Sequence, residues 1–252
     1  AILGTNGLPG RYGGWDQLLE HLTDLADHNT ELYIFCSGPY YTERQKYYKN
    51  CKLIYLPFNA NGYQSVIYDV VSIVYSILRF DVLLLLGTSG TVVLPFVKLF
   101  SNKPIILNPD GNEWERGKWG YLTKKYLKFS EMIGAKFSTK IITDNLELQR
   151  YYFSAYKKDS TLIEYGGDHV SLKHKIEGYS NKELNITEKG YAFKVARIVP
   201  ENNIDLILQA FSKLDLKLVL IGNWKFSEYG VKLKKKFSNV QNITLLDPIY
   251  DQ

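Results

Sequence analysis

Residues 4–14 read Gly4-Thr5-Asn6-Gly7-Leu8-Pro9-Gly10-Arg11-Tyr12-Gly13-Gly14, between the apolar run Ala1-Ile2-Leu3 and a helix expected to open near Asp16. A strand, a glycine-rich turn and a helix N-terminus in that order build an anion site. Glycines let the backbone approach a phosphate, and the helix's unpaired N–H groups and positive dipole end favour negative charge. The helix is read from Trp15, Leu18, Leu19, Leu22, Leu25 and Ala26, which share one face at a 3.6-residue period. Glycine spacing decides which phosphate ligand fits. A dinucleotide fingerprint needs G-x-G-x-x-G and an acidic residue about 20 positions on. Here glycines stand at 4, 7, 10, 13 and 14, and the second strand ends Ile34-Phe35-Cys36-Ser37 without a carboxylate, which disfavours an NAD site. A ligand-free turn is the simpler alternative, but five glycines exceed what a turn requires.

The chain has 252 residues, enough for one large domain or two. Its 45% apolar content fits an ordinary globular protein. Two cysteines, Cys36 and Cys51, give neither a disulfide framework nor metal-ligand spacing, and a reducing cytoplasm is the simplest setting. The first residue already lies inside a strand and no signal peptide is seen, so a residue or two is expected to precede it. The net charge of +5 is concentrated in lysines at 118–140 and 225–236, among 20 tyrosines. No RNA-binding or zinc-finger spacing accompanies them, so nucleic acid is not the expected partner. An anionic membrane face or an anionic sugar substrate fits better, with solvated helix exteriors as the plain alternative.

Strands and helices alternate. Strands are expected at Ala1–Gly4, Glu31–Cys36, Lys52–Pro57, Asp81–Leu86, Pro104–Asn108, Lys140–Thr143 and Thr161–Glu164, with helices at 16–28, 63–80, 91–100, 118–136 and 145–157. Asp144 with Glu147 has the capping-box pattern. Val82–Leu86 is apolar on both faces, as a parallel sheet covered by helices demands. Residues 63–80 are largely apolar but hold Asp69 and three tyrosines, so they are read as a core helix rather than a membrane span. After Tyr165-Gly166-Gly167-Asp168 the polar stretch 169–189 is a linker. A second series follows: strand Tyr191–Ala196, helix 202–214 with Asn202 or Asn203 as N-cap, strand Lys217–Ile221, helix 228–237 and strand Ile243–Leu246. The expected organisation is an α/β domain at 1–168, a linker at 169–189, and the start of a second, incomplete domain at 190–252.

Four ordered segments carry a resemblance. The opening 4–15 is similar to "GTRGIPARYGGFE", and Asp110-Gly111-Asn112-Glu113-Trp114-Glu115-Arg116-Gly117-Lys118-Trp119 to "DGLEWKRAKW". Tyr165-Gly166-Gly167-Asp168 resembles "YGAD", and Ala196-Arg197-Ile198-Val199-Pro200-Glu201-Asn202-Asn203 resembles "GRIVPENN". These belong to GT-B glycosyltransferases of the retaining family 4, in the branch of bacterial rhamnosyltransferases that build capsule, exopolysaccharide or O-antigen. The resemblance implies two Rossmann-like domains, an N-terminal acceptor side and a C-terminal nucleotide-sugar side. It implies transfer of a sugar, L-rhamnose from dTDP-rhamnose, to a lipid-linked surface polysaccharide. The nucleotide sugar is a substrate and no cofactor is expected. The expected location is the cytoplasm, with peripheral contact to an anionic membrane.

The resemblance also implies site residues. Gly13 and Gly14 would lie beneath the donor diphosphate, and Arg197 would neutralise the departing phosphates, since C–O cleavage leaves negative charge there. Asn203 stands where the wider family has a lysine, so one cation is missing. Gly222 and Asn223 would approach the nucleotide base. Asp110, with Glu113 as second candidate, would orient or deprotonate the acceptor hydroxyl. Arg11, Tyr12, Trp114 and Lys118 would contact the acceptor, tryptophan through its face. No D-x-D motif or histidine cluster suggests a metal. Relatives carry a Glu-x₇-Glu motif beyond residue 252, so this chain alone is expected to turn over little. A non-catalytic saccharide-binding or scaffolding module is the alternative from another class.

Overall fold

The computed structural model describes residues 1–10, 13–25, 27, 29–109, 111–167 and 190–248. Arg11, Tyr12, Asp110 and the expected linker 169–189 lie outside the described residues. The chain divides into two compact units, Ala1–Gly167 and Asp168–Gln252.

The first unit contains strands β1 (Ile2–Leu3), β2 (Leu32–Ser37), β3 (Tyr47–Tyr48), β4 (Cys51–Leu56), β5 (Leu83–Leu86), β6 (Ile105–Asn108), β7 (Lys140–Thr143) and β8 (Thr161–Leu162). Its helices are α1 (Gly14–Asp24), α2 (Gln64–Ile77), α3 (Leu94–Phe100), α4 (Tyr121–Phe137) and α5 (Leu146–Tyr156). One sheet runs in the order β3-β4-β2-β1-β5-β6-β7-β8. Every pairing is parallel except β3 with β4.

Alternating side chains go to opposite faces. Leu3, Phe35, Leu83, Leu85, Ile105 and Leu107 pack with Ile73 and Ile77 of α2 and Leu94 and Val97 of α3. Ile2, Ile34, Cys36, Cys51 and Leu53 pack with Leu19 of α1. Both faces are therefore covered, which is why the strands read as continuous apolar runs.

α1 departs from its expected bounds. It starts at Gly14 and stops at Asp24, because Asp27 and Asn29 close a turn: Thr30 N–H donates to the Asp27 carbonyl at 2.9 Å. Leu25 is consequently 82% exposed, and the inward stripe is Trp15, Leu19 and Leu22 with buried Asp16 and Thr23. The N-cap of α5 is Asn145, whose side chain accepts from Leu148 N–H at 2.8 Å. Asp144 instead accepts from the Asn145 amide, so the expected Asp144 cap is corrected by one residue. The expected helix at 91–100 is a 3₁₀ turn, Thr91–Val93, leading into α3. α4 begins at Tyr121, leaving Lys118 and Trp119 in the preceding loop.

The second unit has β9 (Tyr191–Val195), α6 (Ile204–Phe211), β10 (Lys217–Ile221), α7 (Glu228–Phe237) and β11 (Ile243–Leu246). Its strands pair in parallel in the order β11-β10-β9. Trp224 is fully buried among Ile198, Ile204, Leu208 and Leu220, and its indole N–H donates to the Leu246 carbonyl at 2.8 Å. Asn203 is the N-cap residue of α6, one of the two expected, at φ 52° and without a side-chain capping bond among the described residues, while Asn202 Nδ2 donates to the Arg197 carbonyl at 2.7 Å. No helix among the described residues is long and apolar enough to cross a membrane.

Candidate functional site

Strand order points to a candidate site in the first unit. From β1 the chain builds outward through β2 and β4, then returns to β5 on the other side and proceeds through β6, β7 and β8. The connections diverge between β1 and β5, and open α/β sheets bind ligands outside the strand carboxyl ends at such a point. A cleft of about 150 Å³ lies there. It is lined by Gly4 after β1, Gly87, Thr88 and Ser89 after β5, Asn61 and Asp69 from the approach to α2 and α2 itself, and the loop Glu113–Trp119 after β6.

The glycine-rich loop separates into two parts. Its first half is strapped down. Leu8 is fully buried, Asn6 O accepts from Ser37 N–H at 2.9 Å, and Pro9 O accepts from the Tyr41 hydroxyl at 3.1 Å. Gly10 N–H donates to Glu20 at 2.7 Å. Glycine is required here by close approach. A Cβ on Gly4 would lie 2.0 Å from the Leu86 carbonyl oxygen, one on Gly7 2.3 Å from Cys36 Sγ, and one on Gly10 2.9 Å from the Asp16 carbonyl oxygen.

The second half differs. Gly13 needs its positive φ of 116°, but among the described residues, chain neighbours and the helix's own backbone aside, nothing lies within 4 Å of a Cβ built on Gly13 or Gly14. Gly14 opens α1 without a positive φ, so neither backbone conformation nor packing against the described residues requires a glycine there. Among the described residues, no side chain covers this backbone at the start of α1, the end of a helix where N–H groups lack intrahelical partners.

The loop after β6 is built around Glu113. Its Oε1 accepts from Trp119 Nε1 at 3.0 Å and lies 3.1 Å from Lys118 Nζ, while Oε2 is 2.8 Å from Arg116 Nε. Glu113 is therefore a hub that fixes two cations and an indole. Lys118 Nζ also sits 4.5 Å from the Trp119 ring centre, and the Tyr63 ring meets Trp119 edge-on at 5.7 Å.

Trp114 points elsewhere. Its N–H donates to buried Glu131 at 3.1 Å, and Lys128 Nζ rests 4.2 Å above its ring. Glu131 also accepts from the hydroxyls of Tyr151 and Tyr156. Trp114 thus anchors the loop to α4 and α5, and Trp119 is the tryptophan on the cleft. Of the expected acceptor residues, Lys118 lines the cleft and Trp114 does not; Arg11, Tyr12 and the expected base Asp110 lie outside the described residues.

Asp69 is the residue that sequence reasoning missed. It lies at the cleft floor, 9% exposed, with one carboxylate oxygen accepting from the Ser89 hydroxyl. Burial pushes its carboxyl up to about 7, against the opposing pull of the Ser89 hydrogen bond. The signal was available in outline: a single carboxylate in an otherwise uncharged apolar helix.

In the second unit the expected donor residues gather at the carboxyl rim of β9 and β10. Arg197 follows β9, is exposed, and has no ion pair among the described residues. Asn203 is exposed at the entry to α6. Gly222 is a packing glycine, since a Cβ there would lie 2.5 Å from the Ala196 carbonyl oxygen, and its N–H already donates to Leu246 O. Asn223 is exposed, with Oδ1 accepting from Lys225 N–H at 3.1 Å.

The architecture is that of GT-B-type proteins. Sucrose-phosphate synthase from Thermosynechococcus elongatus is similar over 98% of this chain and 70% of that one, with a TM-score of 0.72 and 14% identity. HepE from Anabaena, crystallised in complex with UDP, is similar over 79% of this chain and 56% of its own, with a TM-score of 0.54 and 12% identity. The chain thus spans little more than half the length of HepE. At such identities the likeness establishes the fold alone. No protein of curated function matches the sequence. The family described as "Domain of unknown function (DUF1972)" matches residues 1–168, and the chain belongs to that family.

Proposed function

We propose that the chain is part of a nucleotide-sugar-dependent glycosyltransferase, with Gly13 and Gly14 receiving the donor diphosphate and the switch-point cleft receiving the acceptor. One observation carries the reading. Gly14 stands bare at the start of α1 where the fold asks for no glycine, and a diphosphate resting on that backbone gives the residue a purpose. The GT-B-like fold and the UDP bound by HepE support the same ligand class. Arg197, exposed and without an ion pair among the described residues, is the candidate cation for the phosphates, and Asn203 and Asn223 are candidates for further polar contacts to the donor.

The finer reading rests on the motif resemblance: L-rhamnose from dTDP-rhamnose, passed with retention and without a metal to a lipid-linked surface polysaccharide. In it Asp110, with Glu113 as second candidate, attends the acceptor hydroxyl, and Arg11, Tyr12 and Lys118 contact the acceptor; Glu113's pairing with Arg116 and Lys118 favours Asp110 for that role. The nucleotide sugar is consumed as substrate.

The test is a comparison of dTDP-, UDP- and GDP-sugars for binding to this chain and for transfer and hydrolysis by a parent protein carrying it. Preferential use of dTDP-rhamnose is expected, with Arg197→Ala weakening nucleotide binding about tenfold or more, as loss of one charge-assisted contact implies. Preference for another donor overturns the rhamnose assignment. Indifference to every nucleotide overturns the enzyme reading in favour of a scaffold.

A further inference from the structure

Among the described residues two carboxyl groups line the switch-point cleft, Asp69 and Glu113, and they are held very differently. Glu113 is engaged by Arg116, Lys118 and the Trp119 indole. Among the described residues Asp69 has only the Ser89 hydroxyl, and the Ser89 backbone is itself held in place. The Ser89 carbonyl accepts from Tyr126 OH at 2.7 Å and from Ser130 Oγ at 3.2 Å, both on α4. Gly90 is required by the contact, because a Cβ there would lie 2.3 Å from Asp69 Cβ. The fold therefore holds an acidic side chain between the open cleft and a small void lined by Leu3, Ile73, Leu85 and Leu86, where an apolar residue would pack without desolvating a charge.

The walls above it show what the carboxyl is for. Trp119 offers an aromatic ring, Tyr63 packs on that ring's edge, and Asn61 adds an amide. Apolar C–H surface against an aromatic face, with hydroxyls donating to a carboxylate below, is the complement of a sugar ring. The cleft, about 150 Å³, is of the size a single sugar ring needs.

We infer that Asp69, oriented by Ser89, is a hydroxyl-reading residue of a monosaccharide subsite whose aromatic wall is Trp119, and that it selects a neutral acceptor sugar with a free hydroxyl aimed at the cleft floor. The inference rests on the glycosyltransferase reading and adds to it the residue that chooses the acceptor. Among the described residues the groups facing Asp69 are Tyr68 beside it on α2, Ser89 and Thr91 after β5, Tyr126 from α4, and Glu113, Arg116 and Lys118 across the cleft. As a carboxylate Asp69 accepts from a hydroxyl, so sugar binding strengthens as pH rises through about 7.

The experiment titrates methyl glycosides of neutral hexoses and deoxyhexoses into the ¹⁵N-labelled chain, following the Trp119 indole N–H by NMR at pH 6 and pH 8. UDP and dTDP are titrated in parallel. Wild type is expected to bind at least one glycoside, more tightly at pH 8. Asp69→Asn should weaken binding tenfold or more and abolish the pH dependence, while Ser89→Ala should weaken it less and keep that dependence. Nucleotide affinity should be unchanged in both variants. Glycoside binding that is absent in wild type, or equal in Asp69→Asn, overturns the subsite while intact nucleotide binding leaves the proposed function standing. Loss of response to nucleotides and sugars alike in wild type overturns both.

Discussion

Replacing Asp69 by Asn tests the environment of the cleft floor without reference to any ligand. Asn keeps the shape and can still meet the Ser89 hydroxyl, but it carries no charge at any pH. The Asp69 carboxyl titrates at about 7 rather than at its ordinary 3.8, first because burial penalises the carboxylate. The folded chain thus holds this proton more tightly than the unfolded chain does. That preference stabilises the fold fully below pH 3.8 and is lost as pH rises through 7. At 1.36 kcal/mol per pH unit, the whole effect is about 4 kcal/mol, of which about 3 kcal/mol falls between pH 4.5 and 8.5. The variant escapes this loss. Urea unfolding of both proteins across that range should therefore show Asp69→Asn gaining on wild type by about 3 kcal/mol as pH increases. The subtraction cancels whatever the second unit contributes to both. Parallel stability curves would refute the reasoning, since they would mean that Asp69 titrates like a solvated carboxylate.

Two further outcomes follow from packing. Gly4→Ala forces a Cβ to 2.0 Å from a backbone oxygen at a φ of 93°, and should cost several kcal/mol or prevent folding, read as a lowered urea midpoint. Glu131→Gln weakens a buried acceptor shared by Trp114, Tyr151 and Tyr156 and should cost about 2–4 kcal/mol, with a shifted Trp114 indole resonance in NMR.

The strands were largely legible because parallel strands covered on both faces must be apolar throughout. Lys140–Thr143, Lys217–Ile221 and Ile243–Leu246 have their expected bounds for that reason. β3 was not legible: Tyr47–Tyr48 is two residues long and exists only through antiparallel pairing with β4. The end of α1 was missed because the apolar period runs on through Leu25 while the Asp27 turn stops the helix. Trp114 and Trp119 are five residues apart, and nothing local says which faces the cleft. That choice is made by Glu131, a buried acceptor on α4 that captures Trp114. Asp69 served in the sequence only as an argument against a membrane span. Its partner, Ser89, stands 20 residues later, and only the fold brings the two together.

Gly14 gives the most direct test of the central claim that a diphosphate rests on the start of α1. Calorimetric titration of UDP and dTDP into wild type and Gly14→Ala separates ligand from fold. A methyl group there meets no atom of the described residues outside its own helix and replaces a glycine in a helix, so stability should hold or rise by up to about 1 kcal/mol. Wild type should bind a nucleoside diphosphate and Gly14→Ala should bind it at least tenfold more weakly. Equal affinity in the two proteins, or no binding by wild type, would contradict the account.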